Sequence, residues 1–469
     1  MGIIKRARQA FRAFTRAFSG YDVASSGGRW PAQYALHAPI SQQLAASRLA
    51  SRKIAHQVEN NSLMASIVQH AVTAIIADGP SVRSAHPDAE VNAQLQHAWN
   101  TFFNDCSIEG GQSLGGYLSR VARGLFIDGE SFTQLVVDPD TMRLKLRLLT
   151  AEQVDGSKTI PSLGMTGDQP NIVSGVEYDA GGRIVAYWIF KTPRDSPWAS
   201  VEPAVRVPAL DVAHVYEARF PGVPRGLSPL VPVAPLAMEL DQAIDAAVVK
   251  IKVTALMSMI IRDVDGTVPL DTSADPATLA LEPGSTIKLP PGTDVTFPPV
   301  AEMSTVAEVM THIERLICAG SGVPYFLATG DLASVSFSAG KLGMASFQRR
   351  VKSIQANHIV GQLLNKVWDR IVLLEVLSGR LAVPDYESAP QNYAAQFLFP
   401  GWPPIDELKA AKANTLNIAA KVKSRAEIIS EGGRDPADVD AEIDNDPFAG
   451  DDLSPTASNI TNQADMENA

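Results

Sequence analysis

The stretch Gly330-Asp-Leu-Ala-Ser-Val-Ser-Phe-Ser-Ala-Gly340 decides how this chain is read, because it opens into residues 341–380, which contain no proline. A loop rich in hydroxyl groups is followed by a helical run of roughly 38 residues, on the order of 55 Å at ~1.5 Å per residue. Apolar residues recur at helical spacing through Phe347, Val351, Ile354, Leu363, Val367, Ile371 and Leu374, and Gly361 is the expected kink. A short polar loop on one long rod suits a mechanical element reaching into a cavity or channel better than a catalytic pocket.

Working outward, 469 residues with 45% hydrophobic and 19% charged side chains allow a sizeable core and about three domains, or one elongated chain of several parts. Cys106 and Cys318 are the only cysteines, so the chain reads as one made in a reducing compartment. No apolar run reaches the ~18 residues of a membrane span; the nearest, Ala246–Ile261, is broken by Lys250 and Lys252. The net charge of −11 is uneven: residues 1–60 hold nine Lys/Arg against Asp22 and Glu59, whereas residues 424–469 hold Arg425 and Arg434 against twelve acids. Ends of opposite sign suit different partners, or are two solvated tails. The basic start, with Phe11, Phe14 and Phe18 along one side, reads as an arm that docks on a neighbouring subunit or acidic surface. A membrane-surface or targeting helix is the other reading.

Helices are expected over Gln42–Ala77, Asp88–Asn104 and Ser113–Ile127, followed by strands at Glu130–Val137, Leu144–Leu149, Ile172–Tyr178, Ile184–Phe190 and Val212–Glu217. This first half is α+β, with mostly antiparallel strands. Two further helices, Leu236–Ile261 and Thr305–Ala319, bracket a Pro/Gly/Asp-rich insert with short strands at Ser285–Leu289 and Asp294–Phe297. The pair is either a projecting stalk or an ordinary α-hairpin with a long loop. Helices at Asp406–Lys421 and Ser424–Glu431 precede a polar, acidic tail beyond Asp446 that is expected to be disordered.

Motifs of chemistry are weak. Gly111-Gln-Ser-Leu-Gly115 matches the G-x-S-x-G nucleophile elbow, making Ser113 the one serine-hydrolase candidate, but a loop precedes it where that motif needs a buried strand. Gly340-Lys341 resembles the end of a phosphate loop, yet Val335 and Leu342 stand where a glycine and a Ser/Thr belong. Eight scattered histidines and the lack of C-x-x-C or H-E-x-x-H indicate no metal site, and no cofactor is implied. Asp128-Gly-Glu130 reads as punctuation between a helix and a strand, with a capping role. Asp241 and Asp245, one turn apart, read as a solvated or interface face.

Several segments, in order, resemble the lambda-like portal proteins of tailed bacteriophages. They are Ser47-Arg-Leu-Ala-Ser-Arg-Lys53 with Glu59-Asn-Asn-Ser62; Leu125-Phe-Ile-Asp-Gly-Glu-Ser-Phe132; and His214-Val-Tyr-Glu-Ala-Arg-Phe-Pro-Gly222 with Arg225-Gly-Leu-Ser-Pro229. The loop from Gly330 through Ser338 follows, then Pro400-Gly-Trp-Pro-Pro-Ile-Asp-Glu-Leu-Lys409 and Arg425–Asp435. Departures are Val223-Pro224 before Arg225 and Ile405-Asp-Glu in the C-terminal block.

The resemblance implies a non-enzymatic portal ring, typically of twelve subunits, at one capsid vertex of the virion. Double-stranded DNA would be packaged and ejected through it. Implied partners are the terminase large subunit, the major capsid protein and scaffold, and head-completion or tail adaptor proteins. Assembly is expected in the host bacterial cytoplasm. Implied parts are a basic arm (1–45), an α+β wing (46–235), stem helices (236–261 and 302–324) around a clip (262–301), and a tunnel loop (325–340). A long kinked helix (341–380), a wing return and crown base (381–445) and the acidic tail (446–469) complete it. Ser334, Val335, Ser336, Phe337 and Ser338 are expected to line the channel, with Lys341, Arg349 and Arg350 as weak, transient DNA contacts. A capsid or tail adaptor without a DNA channel is the remaining alternative.

Overall fold

The computed structural model describes residues 40–84, 86–160, 171–193, 202–256, 260–263, 293–296, 303–333, 335–381, 386–404 and 406–446. The basic arm up to residue 39, most of the expected clip with its Ser285–Leu289 strand, Ser334 and the tail beyond residue 446 lie outside them. The chain divides into two units, Met1–Leu49 and Ala50–Ala469. What is described of the first is the opening of helix α1, Ile40–Asn60.

One expected helix over Gln42–Ala77 is two. Asn61 leaves the helical region and caps α2, Ser62–Ile76, by accepting the Met64 amide proton on its side chain. Its side-chain Nδ2 donates to Asp241 Oδ1, 2.8 Å away, so Asp241 is held by a partner. Helices α3 (Ala89–Asn104) and α4 (Leu114–Ile127) follow, each capped by the residue that opened the expected element, Asp88 and Ser113.

The strands of the first half are antiparallel. A three-stranded sheet has the order β3-β2-β8, built from β2 (Glu130–Val137), β3 (Leu144–Leu149) and β8 (Val212–Tyr216). A four-stranded meander contains β4 (Asn171–Val173), β5 (Val176–Tyr178), β6 (Ile184–Ile189) and β7 (Val205–Pro208). The single strand expected at Ile172–Tyr178 is itself a hairpin. Ser174 and Gly175 both take positive φ, and a Cβ at Gly175 would press on the Asp155 carbonyl.

Helix α5 (Ala234–Leu256) and helix α6 (Met303–Ser321) form the expected pair. The helix expected to reach Ile261 is described as far as Leu256. Ile260–Asp263 instead forms β9, paired antiparallel with β10, Thr293–Thr296. Ile260 and Ile261 therefore belong to the insert and not to the helix.

Helix α7 (Tyr325–Thr329) leads to the rod, which has three consecutive parts: α8 (Phe337–Ile354), a π-helical turn set (Gln355–Leu364) and α9 (Asn365–Leu377). Gly361 lies within the π segment, so the expected irregularity is a wider helix and not a glycine hinge alone. Strand β11 (Ala395–Leu398) returns to pair with β1 (Ser81–Ser84). Trp99 packs on Trp368 and Phe397 at 6.0 and 5.6 Å, joining α3, the rod and the returning strand in one core. Helices α10 (Glu407–Ala419), α11 (Arg425–Glu431) and α12 (Pro436–Asp444) follow; the last was missed from sequence.

Candidate functional site

The loop before the rod is built from small local bonds. Gly330 ends α7 in the left-handed conformation, φ 72°. Asp331 accepts the Ala333 amide proton at 3.0 Å, and Val335 N donates to Leu332 O at 3.2 Å. Ser336 is the N-cap of α8, accepting from Ala339 N at 3.3 Å. The expected tunnel loop is therefore shorter than its sequence suggested: Phe337, Ser338 and Ala339 form the first turn of the rod. Val335 is half-buried, Ser336 and Ser338 are exposed, and Phe337 is 66% exposed. Leu332 and Leu342 are exposed beside it.

The base beneath this turn is firm. Ser66 donates to the Ala328 carbonyl at 2.6 Å, tying α7 to α2. Gly343 lets α8 approach the Phe326 ring, and buried Phe347 meets Trp402 edge-on at 6.1 Å. Further along, Gln355 donates to the Ile75 carbonyl at 2.7 Å. Gln362 accepts from Tyr216 N at 2.8 Å and donates to Tyr216 O at 3.0 Å, so one side chain satisfies both main-chain groups of the final β8 residue.

The three expected cations do not share a face. Nine residues of α-helix make about two and a half turns, so Lys341 and Arg350 leave α8 on opposite sides. Arg350 lies over Gly322, where a Cβ would collide with its guanidinium. Arg349, about 100° around the helix from Arg350, lies on the exposed stripe with Ser338, Leu342 and Ala345 and away from buried Phe347 and Val351. Lys341 sits near the N-cap of α10, where it helps hold the Asp406 carboxyl below its ordinary range, after the larger effect of the Lys409 amide and ammonium.

Ser113 is a helix cap. Its hydroxyl accepts from Gly116 N at 3.4 Å, and Gly110 and Gly111, both at positive φ, form the turn before it. No strand delivers it to a sheet edge, so it lacks the strained support a nucleophile elbow requires.

A second cluster joins two segments that sequence reading treated separately. Glu130, the first residue of β2, is buried. Arg225 Nε reaches its two oxygens at 2.8 and 3.0 Å, Arg225 Nη2 donates at 2.5 Å, and Gly226 N at 2.9 Å. His214 Nε2 lies 3.0 Å away, its ring stacked between Phe132 and Tyr216 at 4.1 Å on either side. The remaining Arg225 donors satisfy the Ser174 and Ala151 carbonyls.

Gly129 and Gly226 permit this closeness, since a Cβ on either would strike the backbone of the other's segment. Burial would raise the Glu130 carboxyl, but Arg225 and His214 outweigh it and hold it down at about 2. Burial pushes the His214 imidazole down and the Asp128 carboxyl up, the latter to about 6 with help from Glu130 and Glu152. Glu130 is thus a buried anion and not loop punctuation, whereas Asp128 does cap α4. The signal available in sequence was an acid heading a strand of otherwise core residues, which demands a cation elsewhere.

Among the described residues, no helix is long and apolar enough to cross a membrane. Several solved structures are similar in outline. A chain of the virion of a native gene transfer agent particle shares 15% identity, covering 84% of this chain and 92% of that one, at a TM-score of 0.43. A chain of the neck of an empty gene transfer agent particle shares 16%, covering 84% and 93%, at 0.45. An HK97 family phage portal protein from Corynebacterium diphtheriae shares 10%, covering 73% and 94%, at 0.33. No curated protein matches the chain. The family model described as phage portal protein, lambda family, matches residues 30–355, which include Glu130, His214, Arg225 and the exposed turn that opens the rod. The chain belongs to the lambda family of phage portal proteins.

Proposed function

We propose that copies of this chain close into a ring, of twelve in the usual case, at one vertex of a capsid, and that double-stranded DNA passes through its bore during packaging and ejection. The observation that carries the reading is the exposed Phe337–Ser338 turn at the head of a rod anchored along its length, in a chain of the portal family. A turn held from behind and free in front suits a part that presses on a moving strand. In this reading the α+β half is the wing, α5 and α6 are the stem, and the β9–β10 insert is the clip that meets the terminase large subunit and later the head-completion or tail adaptor proteins. The major capsid protein and scaffold surround the wing.

The charge balance supports sliding over gripping. Residues 61–423 carry 29 Lys/Arg against 37 acids, whereas a protein holding DNA through its phosphates gains most of its affinity from cations. An acidic wall lets a polyanion pass, with Arg349 and Lys341 as brief contacts and Arg350 set apart from them over Gly322. Particles assembled with residues 333–339 deleted test this. A conduit fails to package or retain DNA without the turn; normal DNA content would favour an adaptor with no channel.

A further inference from the structure

A pocket of about 240 Å³ lies where the end of α3, the β2–β3 hairpin and α9 meet. Its floor is apolar: Phe102, Leu144, Ile371 and Leu374 line it, and none is more than 6% exposed. Its rim is charged, and the charges are paired off. Lys145 donates to the Asp105 carboxylate at 2.7 Å and to the Asp105 carbonyl at 2.8 Å. Both Glu375 oxygens accept from Arg380, at 2.7 and 2.8 Å, and Arg380 also donates to the Thr141 and Met142 carbonyls, pinning the hairpin turn to α9. Asp138 accepts from the Thr141 hydroxyl at 2.7 Å and from the Asp140 amide at 3.1 Å.

Arg143 is the exception. It lines the same pocket, is half-buried, and among the described residues its guanidinium meets no acid and no carbonyl. A guanidinium is a planar fork of donors that fits a carboxylate through two parallel bonds. Held partly out of water beside an apolar floor, it gains most from a ligand bringing both an anion and an apolar side chain. The pocket is smaller than the ~300–1,000 Å³ of small-molecule sites, which suits one or two side chains of a peptide.

This chain carries such a peptide. Pro447–Ala469, beyond α12, holds four acids and no Lys or Arg, and includes Asp451-Asp452-Leu453. In an extended segment, residues two apart share a side, so Asp451 and Leu453 can face one surface together. The tail also starts from the neighbourhood of α3. Arg83 of β1 lies 3.8 Å from Asp435 at the head of α12, and Ser81 donates to the Gly433 carbonyl at 3.2 Å. Strand β1 leads into α3, which covers about 18 Å between Ala89 and Thr101 at the pocket. Extended chain from Asp446 to Asp451 reaches about the same ~18 Å.

We propose that this pocket is a peptide-binding site filled by the chain's own acidic tail, with the Asp451 carboxylate on Arg143 and Leu453 on the apolar floor. The proposal does not depend on the ring reading above.

Electron paramagnetic resonance of the full chain tests it. A nitroxide on Ser454→Cys reads the motion of the tail, while Cys106 and Cys318 are buried. In the otherwise unchanged chain the label should tumble severalfold more slowly than in a chain that also carries Asp451→Asn and Leu453→Ser. Arg143→Glu should free the label to the same extent. Arg143→Asp combined with Asp451→Arg should slow it again, a rescue that a merely misfolded variant does not give. Fast motion in the otherwise unchanged chain leaves the pocket to some other peptide and overturns the proposal. Slow motion that survives Arg143→Glu means that the tail is held elsewhere, and overturns it equally.

Discussion

Arg225 holds Glu130 through Nε at 2.8 Å and Nη2 at 2.5 Å, and neither side chain is more than 6% exposed. The pair is 95 residues apart in sequence, and it locks the start of β2 to the chain that leads into α5. Removing one partner leaves the other charged and buried. Arg225→Met or Glu130→Gln should each cost about 3–5 kcal/mol, read as a lowered midpoint in urea unfolding. The double variant should cost clearly less than the two single costs combined; simple additivity would show that the charges do not depend on one another.

Asp128 and Glu130 should pull stability in opposite directions with pH. The Glu130 carboxyl is lowered from 4.5 to about 2 on folding, so its contribution is complete above pH 4.5 and is lost as pH falls toward 2. Asp128 is raised from 3.8 to about 6, so its contribution is complete below pH 3.8 and is lost as pH rises through 6. Asp128→Asn should therefore raise the melting temperature at pH 7.5 and have little effect at pH 4. Thermal melts at the two pH values check this, and a variant less stable at pH 7.5 contradicts it.

Gln362 stands in for a strand partner at the end of β8. Gln362→Ala leaves the Tyr216 amide and carbonyl without those bonds and should cost about 1–3 kcal/mol. Hydrogen exchange at the Tyr216 amide should accelerate locally. Uniform acceleration across the sheet would mean that the rod, and not this side chain, holds the strand.

Phe337 offers a separation of function from stability. It is 66% exposed, so Phe337→Ala should shift stability by less than about 0.5 kcal/mol. DNA retained per particle, measured by quantitative PCR after nuclease treatment, should nevertheless fall severalfold. Unchanged DNA content would remove Phe337 from the channel.

Local punctuation was legible in sequence because capping residues carry their own chemistry. Asp88, Ser113, Asp406 and Ser424 each opened an expected helix, and each is the observed N-cap. Partnerships over distance were not legible. Strand β1 is four residues of mixed polarity, defined by pairing with residues 395–398, and Asn61 breaks a continuous apolar pattern because it caps α2 and reaches Asp241. The hydroxyl segment was read as one loop, but the division of Ser336 and Phe337 between cap and first helical turn was not legible, since serine serves both loop and N-cap. Basic residues were grouped by closeness in sequence, and helical rotation then separated Arg350 from Arg349. Glu130 was read as punctuation because its cation lies far along the chain.

An electron cryomicroscopy map of the assembled full-length protein tests the central claim most directly. The account predicts a closed ring whose bore is lined by Phe337 and Ser338, with the α8–α9 rod behind them. A closed ring with those residues on its outer rim, or a preparation holding only monomers and dimers across salt conditions, would contradict it.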